Sequence, residues 1–137
     1  KRALEKNNIK VREDYIFQTD YSRGAARTAA EQLVKAADPA TAVFVASDAM
    51  ALEVMAVVRE LGKKILDDLS IVGFDDNPSG LYGPVGLTTV RQPLIRMAEE
   101  SVKELNRLIG AAKSTSKKIL LPAELIIRES CKPFTGG

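Results

Sequence analysis

Residues 41–48 read TAVFVASD, residues 49–62 read AMALEVMAVVRELG, and residues 68–76 read DLSIVGFDD. Thr41 to Ala46 is a continuous apolar, β-rich run, the pattern of a strand buried on both faces. Ser47 and Asp48 follow, and both suit a helix N-cap. Met50, Ala51, Val54, Met55, Val57, Val58 and Leu61 then recur at helical spacing up to Gly62, a C-cap residue. Ser70 to Phe74 predicts a second buried strand running straight into Asp75-Asp76. A strand, a helix and a strand in that order predict a parallel pair joined by a right-handed crossover. The fold class is therefore α/β.

The same alternation extends both ways. Upstream, Tyr15-Ile16-Phe17 is a short strand signal. Ala26, Ala29, Ala30, Leu33, Val34 and Ala37 mark one face of a helix over 23–37, closed by Pro39. The opening KRALEKNNI reads as the tail of a helix stopped at Asn7-Asn8. Downstream, Pro78, Gly80, Gly83, Pro84 and Gly86 make 77–86 a loop. Leu87 to Val90 reads as a strand. Pro93 suits a helix start, and Leu94, Met97, Ala98, Val102, Leu105 and Ile109 give an amphipathic helix. Gly110 to Lys117 reads as a surface loop. Lys118 to Leu121, the Pro122 break and the strand-like ELIIR of 124–128 close the pattern.

Composition narrows the chemistry. The chain has 137 residues, 45% hydrophobic, with 20 Lys+Arg, 18 Asp+Glu, no His, no Trp and a single Cys. This suits one domain with a core of ordinary size. One thiol permits no internal disulfide, and the lack of His argues against the usual zinc sites, so no metal is expected. It also removes every Ser-His or Cys-His pair. Neither GxxxxGK[ST] nor GxGxxG occurs, and no cofactor is expected. No apolar run reaches the roughly 18–20 residues of a membrane helix, so no membrane partner is expected. No apolar signal-peptide core follows Lys1. A net charge of +2 does not by itself indicate nucleic acid, and the basic excess at Lys1, Arg2, Lys6, Lys10 and Arg12 reads as a solvated helix surface.

In open α/β sheets ligands bind beyond the carboxyl ends of the strands. Two strand ends here carry polar groups: Ser47 with Asp48, and Asp75 with Asp76. Asp48 is either a cap or a ligand contact. Ser47 caps, turns the chain or meets a ligand. Asp76 can begin an Asx turn ahead of Pro78. Asp75 comes directly off the strand with no capping task, and carboxylates accept well from hydroxyl or amino groups of a small polar ligand. Adjacent carboxylates on an extended segment point apart, against paired acid catalysis. Met50, Met55 and Met97 read as packing, and Cys131 as a bystander.

The blocks TAVFVASDAMALEVMAVVRELG, DLSIVGFDDNP, LTTVRQP and LLPAELIIRES closely resemble the C-terminal part of the LacI/GalR family of bacterial transcription regulators. They stand in the family's order and at similar separations, and DYSRGAARTAAEQLV resembles the strand-to-helix junction before them. The resemblance implies a parallel-sheet, periplasmic-binding-protein-like (type I) fold of two subdomains hinged around an effector cleft. It implies that 1–86 and 117–130 form most of the C-terminal subdomain. Residues 87–110 would cross to the N-terminal subdomain, with 131–137 as a tail. The chain would begin partway through a helix, and the DNA-binding headpiece would lie outside it.

Carried over by position, the resemblance makes Tyr21, just after a strand near 16–19, a stacking or wall residue for a sugar or base. Ser47 stands where many relatives have Asn, so its hydrogen bonds should differ. Asp48 belongs to the same motif, and Asp75 matches the first Asp of the GFDD motif, expected to accept from the effector. Leu52, Met55, Leu81 and Tyr82 would form a homodimer surface. The implied partners are a small effector, sugar or nucleoside-like, a second copy, and operator DNA reached through the headpiece. The implied location is the cytoplasm. A solute-binding protein of the same fold serving a sugar transporter is the alternative, to be distinguished by a signal peptide in place of a helix-turn-helix. An α/β enzyme is the third reading, disfavoured by the missing His and nucleophile elbow.

Overall fold

A computed structural model describes residues 1–110, 115 and 117–133. Four strands, β1 (Ala42–Phe44), β2 (Ser70–Asp75), β3 (Thr88–Arg91) and β4 (Glu124–Ile126), form one sheet in the order β1-β2-β3-β4. β1, β2 and β3 are parallel, with Phe44 opposite Val72 and Gly73 opposite Thr89. β4 runs antiparallel to β3, pairing Leu125 with Val90. The sheet is therefore mixed at one edge, because the chain that leaves through β3 returns through β4.

Helices α1 (Arg2–Lys6), α2 (Arg23–Lys35), α3 (Asp48–Glu60) and α4 (Leu94–Gly110) complete the described elements, with short 3-10 turns at Glu13–Tyr15 and Pro78–Leu81. α3 is the crossover between β1 and β2, and it buries Met50, Ala51, Val54, Met55, Val57 and Val58. These meet Ile71, Leu69 and Leu87 from the sheet side and Ala26 and Ala30 of α2. Each large side chain buried there contributes roughly 1.5–3 kcal/mol. The two alanines let α2 lie close against α3. Arg23 to Glu53, and Arg27 to Glu53 and Glu60, then pair across the exposed rim.

Several expectations are corrected. Residues 15–17 form no strand, nor do 16–19: Arg12 pairs with Asp14 and Asp38 and stacks 3.9 Å over the Tyr15 ring. That curls the chain into the Glu13–Tyr15 turn instead. The TAVFVA run is not buried on both faces: Phe44 of β1 is 61% exposed, its ring meeting that of Phe74 in an edge-to-face pair. Helix 23–37 ends at Lys35, where Ala36 turns to an extended ψ ahead of Pro39. Met97 is not in the core: no residue of α4 is buried, and Leu94, Ile95, Val102, Leu105 and Ile109 lie open. Met55, assigned to a dimer surface, is 0% exposed and packs in the core, because its turn of α3 faces the sheet. Leu81 and Tyr82 are exposed and Leu52 is half-buried. Most of the 110–117 loop and of the 131–137 tail lies outside the described residues.

Candidate functional site

The carboxyl ends of β1 and β2 lie level with one another. Phe44 pairs with Val72, so Ser47 and Asp75 each stand three residues past a matched pair. α3 begins at this edge with Ser47 as N-cap, its hydroxyl oxygen accepting from the Met50 amide at 3.3 Å. The hydroxyl proton stays available to donate. α2 begins here too, since Thr19 lies 3.5 Å from the Met50 sulfur and Arg23 reaches Glu53. Tyr21 immediately precedes the α2 cap, Ser22, which takes the Ala25 amide at 3.1 Å. Asp20 accepts from the Ser22 amide at 2.9 Å, and this tight turn leaves Tyr21 at φ 64° and 67% exposed.

Asp48 has a different place from the one expected. It is the first residue of α3 rather than its cap, and it is 1% exposed. One carboxylate oxygen accepts from the Thr89 hydroxyl at 2.6 Å and the other from the Asn77 amide at 2.6 Å. Both oxygens are thus spent within the chain, tying α3 to β3 and to the loop after β2. Gly73 makes this possible: a Cβ there would stand 2.2 Å from the Asp48 oxygen.

The loop that Asp48 holds carries the other two acids. Asp75 and Asp76 both have positive φ, 112° and 56°, a costly conformation for residues with a Cβ and one that clusters at functional sites. One Asp75 oxygen accepts from the Gln92 amide nitrogen at 2.8 Å. Among the described residues the other oxygen meets no donor. Asp76 is not the Asx turn expected; Asn77 takes that task, accepting from the Ser79 amide at 3.0 Å. The Asp76 oxygens instead receive Arg128 at 2.5 Å and Arg91 at 2.7 Å. The hydrogen bond from Arg128, then that from Arg91, hold this carboxyl below the usual carboxylate range against the opposing effect of burial. Asp76 in turn raises Arg91.

In front of β2 and β3 lies an open groove of about 750 Å³. Asp75, Asp76, Arg91, Gln92 and Pro93 line one side of it, and Ile95, Arg96, Glu99 and Lys103 of α4 the other. It receives Asp75 and Asp76 but none of Tyr21, Ser47 or Asp48. Those three share its edge of the sheet without lining it. Sequence reasoning missed Gln92, Arg91, Arg128 and Thr89. The first two follow β3 as Asp75-Asp76 follow β2, so their place past a strand end was a usable signal. Nothing in the spacing pointed to Arg128, 52 positions from Asp76.

Helix starts and acid-bearing strand ends gathered around one edge of a mostly parallel sheet define an α/β domain of the periplasmic-binding-protein-like kind. The chain belongs to the periplasmic binding protein-like domain family, whose profile matches residues 1–131. Within it, the similarity is to regulators of the LacI type. The chain is 37% identical over 131 residues to the HTH-type transcriptional regulator MalR of Clostridium butyricum, covering 96% of this chain and 39% of MalR. A LacI transcriptional regulator from Bacillus cereus subsp. cytotoxis superposes with a TM-score of 0.87 at 30% identity, over 96% of this chain and 46% of that one. A complex of the transcriptional regulator CelR with cellobiose gives 0.87 at 28% identity, over 94% and 39%. The chain thus spans less than half the length of each of these relatives. No described helix is long and apolar enough to cross a membrane.

Proposed function

We propose that this segment is the effector-sensing part of a bacterial transcription repressor and that it binds a sugar or nucleoside-like molecule without transforming it. The observation that carries the reading is Asp75: a strand-end carboxylate lining the groove, with one oxygen anchored by Gln92 and the other without a donor among the described residues. Such an oxygen accepts from a ligand hydroxyl, and the Ser47 hydroxyl and the exposed Tyr21 ring supply a donor and an apolar wall along the same edge. Asp48 acts through the loop it clamps, since its own oxygens are occupied.

Residues 87–110 would cross to a second subdomain, so that effector closes the cleft and shifts a hinge equilibrium. A ligand moves such an equilibrium only by its differential affinity for the two states. Leu52, Leu81 and Tyr82 would join a second copy, and operator DNA would be met through a segment outside this chain. The relatives are described as regulators rather than as transport proteins, which favours this reading over a solute-binding protein.

The test is operator binding by the full-length protein while cellobiose and a panel of hexoses, disaccharides and nucleosides are titrated. At least one should change operator affinity, and Asp75→Ala should weaken its binding by about 1.5 kcal/mol or more, roughly tenfold, through loss of a charged acceptor. No response to any of them would overturn the sensing role. An unchanged affinity in the variant would overturn the assignment of Asp75.

A further inference from the structure

We propose that Asp76 is a positioning residue for effector binding, acting through Asp75: clamped between Arg91 and Arg128, it holds the strained turn in the one conformation that aims Asp75. The inference rests on the reading of Asp75 as an effector contact. Two consecutive left-handed residues with side chains do not persist unless their surroundings over-determine them. The surroundings here do so. Each Asp76 oxygen takes a different arginine, at 2.5 and 2.7 Å. The Asp76 amide meets the Thr89 hydroxyl at 3.4 Å, and the next amide is held by Asp48.

Arg128 is itself fixed before it reaches Asp76. Its guanidinium also donates to the Leu87 carbonyl at 2.7 Å, and its backbone exchanges hydrogen bonds with the Thr88 hydroxyl at 2.9 and 3.1 Å. Arg91 is the last residue of β3, and its neighbour Gln92 is the donor that anchors Asp75. The clamp thus joins the turn at the end of β2 to the strand that leaves the sheet and to the one that returns. A carboxylate spent wholly on two arginines has nothing left for a ligand. Its effect must pass through the orientation of its neighbour.

Asp76→Asn separates this role from general support, because asparagine keeps the shape and tolerates the left-handed region but lacks the charge. In the full-length protein without ligand, exchange of the amides of residues 75 and 77 should accelerate by about tenfold or more, with α3 core amides changing by less than about twofold. Equal acceleration throughout, or none at 75 and 77, would overturn the proposal. Calorimetric titration with cellobiose, or with the panel member that binds, then compares Asp76→Asn in two backgrounds. It should cost about tenfold in affinity when Asp75 is present and less than about twofold in Asp75→Asn. An equal loss in both backgrounds refutes action through Asp75. If no probe binds the unaltered protein, the sensing reading fails by itself, and the exchange result alone decides whether Asp76 holds the turn.

Discussion

Gly73→Ala tests the packing behind the site. The added methyl would stand 2.2 Å from the Asp48 oxygen and 2.9 Å from a Leu87 methyl, against an ordinary contact of 3.4 Å or more. Leu87 can rotate. Asp48 cannot retreat freely, because its backbone is the first residue of α3 and its oxygens are bonded on two sides at 2.6 Å. Clearing the methyl therefore breaks the bond to Thr89, a wholly buried residue. Forcing a methyl into a packed interior costs about 1–3 kcal/mol. Losing a hydrogen bond to a charged group costs about 1.5–3 kcal/mol. The two overlap, so the expected loss is about 2–5 kcal/mol, read as a lower urea midpoint at unchanged slope. The same substitution in an Asp48→Ala background meets no oxygen and should cost less than about 1.5 kcal/mol. A loss under about 1 kcal/mol in the parent, or the same loss in both backgrounds, would refute this account of why position 73 is glycine.

Ser130→Ala should cost about 1–3 kcal/mol in urea unfolding, since the wholly buried hydroxyl accepts from the Thr88 amide at 2.7 Å and donates to the Ile71 carbonyl at 2.6 Å; a near-neutral result would mean that water replaces it. Asp76 is held below its ordinary value of about 3.8, so its stabilisation is complete above that value and is lost as pH falls through the lower folded value. The stability gap between the parent and Asp76→Asn should hold steady from about pH 7 to 5 and narrow progressively as pH falls below about 4; a gap that does not narrow in acid would contradict the ion pairs. Tyr82 is 87% exposed beside Leu81, and Tyr82→Glu should weaken self-association of the full-length protein in sedimentation without lowering its melting temperature; unchanged association would remove this patch from the dimer surface.

The parts of the fold that were legible are those in which periodicity reports burial. The seven apolar positions of 50–61 mark the face of α3 that packs, and the β1-α3-β2 order implied the parallel pairing that forms. The misread elements are those in which another interaction overrode the pattern. Tyr15-Ile16-Phe17 is β-prone, but Arg12 with its two aspartates decides a turn. The apolar stripe of α4 promised a buried face, yet nothing among the described residues covers it. Ser47 and Asp48 were both plausible caps, and only the geometry separates the half-buried cap from the buried clamp.

The three aspartates show why residue type at a strand end was not enough to find the site. Asp48, Asp75 and Asp76 are chemically identical, and spacing placed all three at the same edge. What separates them is how many of their oxygens the fold consumes. Asp48 spends both on a hydroxyl and an amide, and Asp76 spends both on arginines. Each of those bonds comes from a residue 15 or more positions away, so no local window could reveal them. Asp75 spends one, on the Gln92 side chain that lines the groove with it. A carboxylate already satisfied gains little from a ligand hydroxyl, because any new bond displaces one of comparable strength. An oxygen that is open, oriented and partly shielded offers a ligand a charge-assisted bond with less reorganisation. By this accounting the two spent acids are the frame that makes the third one useful.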